Sequence, residues 1–129
     1  MEDISIIIEK LRKANLTISV AESCTGGRIA SNIVSFDGAS EFFLGGVVTY
    51  STHSKIRILN IDKKRIELYG VVSPEIAKDM SNAVKDLFDS DISISITGNV
   101  GSKSGDGLSP IGQVFISINF MNKVDVLSL

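Results

Sequence analysis

Helix-like and strand-like stretches alternate along most of this chain, and that order limits the available folds more than any other feature. Ile4, Ile8 and Leu11 recur at the spacing of an amphipathic helix, whereas Ile92 and Ile94 alternate with serine as in a strand. A tight turn joins two further strand-like stretches at the end of the sequence. This order is typical of the α/β class, in which helices pack on the faces of a mixed sheet.

The same patterns predict the individual elements. Helices are predicted over residues 3–14, 28–34, 54–59, 63–68 and, from the Ser73-Pro74-Glu75 start, 73–88. Strands are predicted over residues 17–21, 46–50, 92–96, 113–120 and 124–129. The 129 residues contain no internal repeat and no linker, so we expect a single domain over 1–129.

Composition argues against several classes of function. The formal net charge of -2 and the ordinary 22% of charged residues give no basis for binding to nucleic acid or to a membrane surface. Cys24 is the single cysteine and His53 the single histidine, so an intramolecular disulfide is excluded and a metal-dependent enzyme is disfavoured. The N-terminal stretch has the pattern of neither a secretory signal nor a membrane span. We expect a soluble, cytoplasmic protein.

Three polar segments directly follow predicted strands and are expected to meet. They cover residues 22–27, 50–55 and 97–107. Ligands in open α/β sheets bind beyond the carboxyl ends of the strands, so parallel neighbours would place these segments at one edge. The glycines among them allow close approach to the backbone, and the helix N-terminus after Gly27 favours an anion. The side chains brought together would be Ser23, Thr25, Tyr50, Ser51, His53, Lys55 and Thr97.

A nucleophilic Ser23 would need a base. His53 could serve in a triad, but no aspartate partner is evident in the sequence. The alternative is Lys55, because a lysine in an apolar pocket near a helix start loses its proton more readily. Tyr50 could then relay or orient the proton.

Each of these residues also has a purely structural interpretation. Ser23 is suited to capping the following helix, Lys55 to an ordinary solvated position, and Tyr50 to the end of a core strand. Cys24 is more typical of a small buried hydrophobe than of a nucleophile, and His53 of a polar turn residue. The pattern alone leaves these alternatives open.

Four stretches carry a familiar combination of motifs: AESCTGG, GGVVTYSTHSK, YGVVSPEIA and ISITGNVG. Together they resemble the C-terminal domain of the CinA family, whose stand-alone members are nicotinamide-mononucleotide deamidases. The match runs in order from about Leu11 to Phe120. The resemblance implies a three-layer α/β/α fold and hydrolysis of nicotinamide mononucleotide to nicotinic acid mononucleotide and ammonia, with no metal or other cofactor.

The resemblance also implies roles for individual residues. The nucleophile of the family's ESCTGG motif matches Ser23, while the family's lysine and tyrosine match Lys55 and Tyr50. Cys24 is then a neighbour of the nucleophile and not the attacking group. The positions that match the family's substrate-binding residues are Thr25, Gly26, Gly27, Ser40, Thr97 and Gly98.

Two departures from the family pattern lead to a rival hypothesis. The loop TGNVGSKSGDG carries Asn99 and Ser102 where the family has apolar and proline positions. The family also continues into a Gly-Asp-Arg turn and a long helix, which this sequence lacks, so we expect a truncated domain without a nucleotide-holding arginine. The rival is a catalytically impaired nucleotide-binding or interaction module. The uncovered strand 124–129 further predicts a homo-oligomer, with weak deamidase activity in this form.

Overall fold

The computed structural model describes residues 4–101 and 110–129, and a five-stranded sheet lies at its centre. The strands are β1 (Ile18–Glu22), β2 (Phe43–Val48), β3 (Ile92–Gly98), β4 (Val114–Phe120) and β5 (Lys123–Ser128). Their order in the sheet is β2-β1-β3-β4-β5, with β1 parallel to both β2 and β3. The β3–β4 and β4–β5 pairs are antiparallel, which confirms the predicted mixed sheet.

Helices cover both faces of this sheet. They are α1 (Ile4–Lys13), α2 (Arg28–Val34), α3 (Thr52–Leu59), α4 (Lys63–Tyr69) and α5 (Pro74–Phe88), with a short 3₁₀ turn at Ala39–Glu41. One core cluster joins Ala21 of β1 to Met80 of α5, and a second joins Val20 of β1 to Ile8 of α1. Adjacent strand residues therefore face different helical layers, as a three-layer α/β/α fold requires. Within the described ranges, no helix is both long and apolar enough to cross a membrane.

Local sequence signals set the helix starts. The Ser73 hydroxyl accepts a hydrogen bond from the Ile76 amide (3.2 Å), and Pro74 occupies the first turn of α5. Ser51 and Ser54 cap each other's backbone amides at the start of α3, which extends that helix to Thr52 rather than the predicted residue 54.

The second predicted strand, residues 46–50, is misplaced. In the structure β2 begins at Phe43 and ends at Val48. The Thr49 amide still donates to the Glu22 carbonyl (2.8 Å), but the carbonyls of Thr49 and Tyr50 turn away to accept hydrogen bonds from Lys55. The sequence could not predict this end of the strand, because it depends on two backbone carbonyls that bind Lys55 and any residue type supplies such a carbonyl.

A seam of hydroxyl groups joins β3 to the helical layer beside it. The hydroxyls of Ser93 and Ser95 donate to the carbonyls of Ser81 and Ala77 in α5, both at 2.6 Å. Farther along the strand, the Thr97 hydroxyl donates to the Val71 carbonyl (2.7 Å) just before α5. These bonds satisfy polar groups in a fully buried layer and fix α5 against the carboxyl end of the sheet.

The outer strands of the sheet are less covered than its inner strand β1. No residue of the edge strand β2 is buried, and its Leu44 and Val48 are 45% and 50% exposed. At the antiparallel end, Ile118 of β4 is 38% exposed and Leu127 of β5 is 54% exposed. These two side chains lie at diagonal positions on the same face of the sheet. By contrast, every residue of β1 is buried. The helices therefore enclose β1 most completely, and its carboxyl end leads into the first of the polar segments predicted to converge.

Candidate active site

The carboxyl ends of the three parallel strands meet at one edge, as predicted. Glu22 at the end of β1 is in register with Val48 of β2 and Ile96 of β3, so the residues that follow are neighbours. A cavity of about 310 Å³ opens at this edge. It lies within the size range of small-molecule sites. Its lining residues are Ser23, Cys24, Tyr50, Ser51, Thr52, Lys55, Val71, Val72, Thr97, Gly98, Asn99, Val100 and Gly101.

Ser23 and Lys55 form a buried pair at the cavity wall. The Nζ atom of Lys55 lies 2.8 Å from the Oγ atom of Ser23, and the two residues are only 2% and 6% exposed. Lys55 Nζ also donates to the carbonyls of Thr49 (2.8 Å) and Tyr50 (3.3 Å). The lysine is held by the strand end of β2 from one side and by the serine from the other.

Burial makes this lysine a good base. Desolvation of the ammonium lowers the pKa of Lys55 from 10.5 to about 8, and only the nearby Cys24 opposes the shift. When the amine is neutral, two of its N–H groups can donate to the two carbonyls while its lone pair faces the Ser23 hydroxyl. The geometry therefore fits a serine activated by a neutral lysine.

Tyr50 contributes to the pair through its backbone. Its carbonyl oxygen receives the bond from Lys55 and lies 3.5 Å from Ser23 Oγ. Its side chain lines the cavity and is 73% exposed. The structure thus brings Tyr50 to the site, and the group that contacts the serine and lysine is the carbonyl.

Glu22, which was not among the predicted site residues, lies directly before the nucleophile and is 1% exposed. Its Oε1 atom accepts from Thr25 Oγ1 (2.6 Å), from the Gly27 amide (3.1 Å) and from the Ile29 amide (3.0 Å). Its Oε2 atom accepts from the Ala30 amide (2.9 Å). Desolvation favours a higher pKa, but these four bonds outweigh it and lower the pKa of Glu22 below 4.5. An acid just before a glycine turn and a helix is the signal that could have identified it.

Glu22 changes the interpretation of the turn that follows. The family resemblance implies ligand contacts for Thr25 and Gly27, and the sequence pattern favours a bound anion at the N-terminus of α2. The Thr25 hydroxyl and the Gly27 amide are instead bonded to Glu22, whose carboxylate is itself the anion at that helix start. Gly26 and Gly27 have φ angles of 59° and 106°, so their conformations suit glycine and form the turn.

The remaining predicted residues divide between two places. Thr97 and Gly98 line the same cavity as Ser23. Ser40 instead borders a separate groove of about 480 Å³ beside Val34 and Phe43. Within this chain, the structure does not place Ser40 at the Ser23 cavity. Residues 102–109, which include the predicted Ser102 and Gly105 of the glycine-rich loop, lie outside the described residues.

The other reactive side chains near the edge are less suited to catalysis. Cys24 is half-buried, and desolvation raises the pKa of its thiol, which disfavours the nucleophilic thiolate. His53 is exposed on the first turn of α3. In the described part of the chain, no three histidine, cysteine or acidic side chains are grouped as metal ligands.

Comparison with known proteins places this geometry in a family. The profile described as the CinA C-terminal domain matches residues 2–129. A CinA-like protein from Flavobacterium psychrophilum is 42% identical over 118 residues, and one from Prochlorococcus marinus is 42% identical over 117. Each alignment covers 91% of this chain, which spans only 28% of either relative's length.

Solved structures give the same result. A competence-damaged protein (CinA) superfamily member from Escherichia coli has a TM-score of 0.93 and 30% identity, covering 97% of this chain and 73% of that one. A competence/damage inducible protein from Agrobacterium tumefaciens has a TM-score of 0.87 and 29% identity, covering 97% and 75% respectively.

Proposed function

The chain belongs to the CinA C-terminal domain family, and on that premise we propose that it is a nicotinamide-nucleotide amidase. The reaction converts nicotinamide mononucleotide and water to nicotinic acid mononucleotide and ammonia. The observation that carries the proposal is the 2.8 Å contact between Ser23 Oγ and Lys55 Nζ in the wall of a cavity. A buried lysine whose pKa is lowered to about 8, bonded to a serine in a cavity wall, supports a functional role for the pair.

The proposed reaction begins when Ser23 Oγ attacks the carboxamide carbon and Lys55 Nζ takes the hydroxyl proton. The tetrahedral intermediate then collapses, the C–N bond breaks, and Lys55 returns the proton to the leaving nitrogen to give ammonia. Water, deprotonated by the same amine, hydrolyses the resulting ester and releases the carboxylic acid. Lys55 thus acts first as base and then as acid in each half of the cycle.

The negative oxygen of the intermediate needs backbone donors close to Ser23. The amides of Gly26 and Gly27 already donate to the Ser23 carbonyl and to Glu22, both at 3.1 Å. We therefore propose that the backbone amides of Cys24 and Thr25 donate hydrogen bonds to the oxyanion. The Thr97-Gly98 segment, which lines the same cavity, is a second candidate source of such donors.

Ammonia release from nicotinamide mononucleotide tests the proposal. The native protein should release ammonia, Ser23→Ala should not, and Cys24→Ala should retain most activity because its thiol takes no part in the proposed chemistry. Cys24→Ala is the matched control, since it changes the adjacent cavity residue by a similar volume. Full activity in Ser23→Ala would contradict the mechanism.

One observation favours the second candidate, a catalytically impaired nucleotide-binding or interaction module. Asn99, which stands at a position that is apolar in the family's loop, is 4% exposed and lines the same cavity as Ser23. The substrate contacts on this wall therefore differ from those that the family motif implies. Calorimetry with several mononucleotides separates the candidates, because binding without turnover would support the module.

We also propose that the chain forms a homo-oligomer. The partly exposed Ile118, Phe120 and Leu127 on the antiparallel strands support this, because apolar side chains on a sheet face favour association. Light scattering should give a mass above that of one chain, and a stable monomer would contradict the proposal.

A further inference from the structure

We infer that Glu22 is a positioning residue for the nucleophile: its carboxylate fixes the turn that presents Ser23 to Lys55. The inference rests on the proposed function of the Ser23–Lys55 pair. It concerns how the serine is held in place, and it assigns Glu22 no contact with the substrate.

The Glu22 carboxylate binds both ends of the turn that contains Ser23. The hydroxyl of Thr25, two residues after the nucleophile, donates to Glu22 at 2.6 Å. The amides of Ile29 and Ala30, in the first turn of α2, donate to the same carboxylate at 3.0 and 2.9 Å. The side chain of Glu22 therefore ties the start of this segment to the first turn of α2, and Ser23 lies in the loop between them.

The backbone of Glu22 binds the other half of the site, the strand end that holds Lys55. The Glu22 carbonyl accepts from the Thr49 amide at 2.8 Å. The Thr49 carbonyl in turn accepts from Lys55 Nζ at 2.8 Å. One residue thus connects the serine turn to the strand end that holds the lysine, so a shift of Glu22 would change the Ser23–Lys55 distance.

The positioning role of Glu22 needs a carboxylate. All four groups that face Glu22 are donors: the Thr25 hydroxyl and the amides of Gly27, Ile29 and Ala30. A glutamine at this place would have to aim its own NH₂ group at one of them. Glu22→Gln keeps the size of the side chain but replaces one acceptor by a donor, so the substitution should loosen the turn.

The effect should be geometric rather than electrostatic. The pKa of Lys55 is set by burial and by Cys24, and Glu22 is not among its causes. Loss of Glu22 should therefore reduce the rate at which Ser23 reacts while leaving the pH midpoint of that reaction near 8. A displacement of about 1 Å between reacting groups can cost about a hundredfold in rate.

The test measures the labelling of Ser23 by a fluorophosphonate, which needs an activated serine but no nucleotide. In folded Glu22→Gln we expect labelling and kcat to fall by about tenfold to a hundredfold, with KM and the pH midpoint unchanged. Thr25→Val should give a smaller fall, and Thr25→Ser should restore it because the hydroxyl returns. If Glu22→Gln does not fold, the comparison of Thr25→Val with Thr25→Ser still tests the positioning role.

The outcomes separate this inference from the proposed function. Wild-type labelling rates in folded Glu22→Gln, or equal rates in Thr25→Val and Thr25→Ser, would overturn it and leave Glu22 as a helix cap. If the wild-type protein fails to hydrolyse nicotinamide mononucleotide but the labelling differences hold, the amidase proposal fails and the positioning role stands.

Discussion

Glu22 and Lys55 are the two charged side chains that are buried in the described part of the chain, and the protein treats them in opposite ways. Glu22 keeps its charge, because four donors lower its pKa in spite of desolvation. Lys55 holds its charge weakly, because burial lowers its pKa to about 8 and no carboxylate is bonded to it. Two side chains with similarly low exposure thus behave differently: Glu22 stays ionised, and Lys55 can lose its proton and act as a base.

The contrast follows from what surrounds each group. Backbone amides at a helix start point their hydrogens at Glu22, so they substitute for the water that it lost. Lys55 has two carbonyls and a hydroxyl around it, which accept hydrogen bonds but carry no full negative charge. The first group is suited to hold structure, and the second to react.

Removal of the lysine amine gives the strongest test of this division. In Lys55→Met the stem still fills its space, but Ser23 loses its base, so we expect kcat/KM to fall by about 10²- to 10⁴-fold. Circular dichroism should show a folded protein. Lys63→Met is the matched control on an exposed lysine of α4 and should keep native turnover. Native turnover in Lys55→Met would remove the base from the mechanism.

The pH dependence of stability gives the next largest effect. Between about pH 8 and 10.5 the unfolded chain holds a proton on Lys55 that the folded protein releases, so folding becomes more favourable as the pH rises through this window. The full difference corresponds to roughly 3 kcal/mol. Urea titrations of wild type and Lys55→Met should show this rise as a difference between the two curves. Parallel curves would mean that Lys55 titrates normally.

The rate of catalysis should report the same titration. Because the neutral amine is the active form, kcat/KM should rise about tenfold per pH unit below about 8 and level off above it. Ammonia release measured from pH 6 to 10 checks this, with substrate held well below KM. A profile that is flat across pH 8 would show that Lys55 is not the titrating base.

Glu22 should titrate at the opposite end of the pH range. Its stabilising contribution is fully present above pH 4.5 and is lost as the pH falls through the lower pKa of the folded state. As the pH falls through this acid range, the free energy of unfolding of the wild type should decrease relative to that of Glu22→Gln. Between pH 6 and 8 the difference between the two proteins should stay constant. Thermal unfolding of the two proteins at stepped pH measures it.

The smallest effect is expected at Tyr50, where the backbone and the side chain can be separated. Tyr50→Phe keeps the carbonyl that accepts from Lys55, so kcat should change by less than about threefold. A phenol that relays the proton, as the sequence suggested, would instead give a loss of about 10²- to 10⁴-fold. Steady-state kinetics of this one variant therefore decides which part of Tyr50 is used.

The sequence predicted most of the architecture because periodicity and caps are local. The ISISIT alternation identified β3, and Ser73-Pro74 identified the start of α5. The sequence could not predict that Ser93 and Ser95 of β3 are more buried than the isoleucines of the same strand. Their hydroxyls are satisfied by carbonyls of a helix. That pairing depends on tertiary contact.

The candidate site was predictable only in part. Ser23 and Lys55 were identified because each follows a strand and because the motif resembled a known family. The structure brings them to hydrogen-bonding distance. The role of Glu22 was missed because it depends on a turn with two left-handed glycines, which points the carboxylate at amides up to eight residues ahead. The Tyr50 carbonyl was missed because any residue type supplies one.

The strand order has a consequence for how the protein is made. The central strand β1 pairs with β2 early in the chain, but its other neighbour, β3, begins only at Ile92. A ribosome that adds about 5–20 residues per second needs roughly 4 to 14 s to synthesise the segment from Glu22 to Ile92. During that interval β1 has at least one open edge, β3 has not been made, and α5 is completed only when Phe88 is added. The nascent chain should therefore be most exposed to aggregation, and most in need of a chaperone, while this middle segment is being translated.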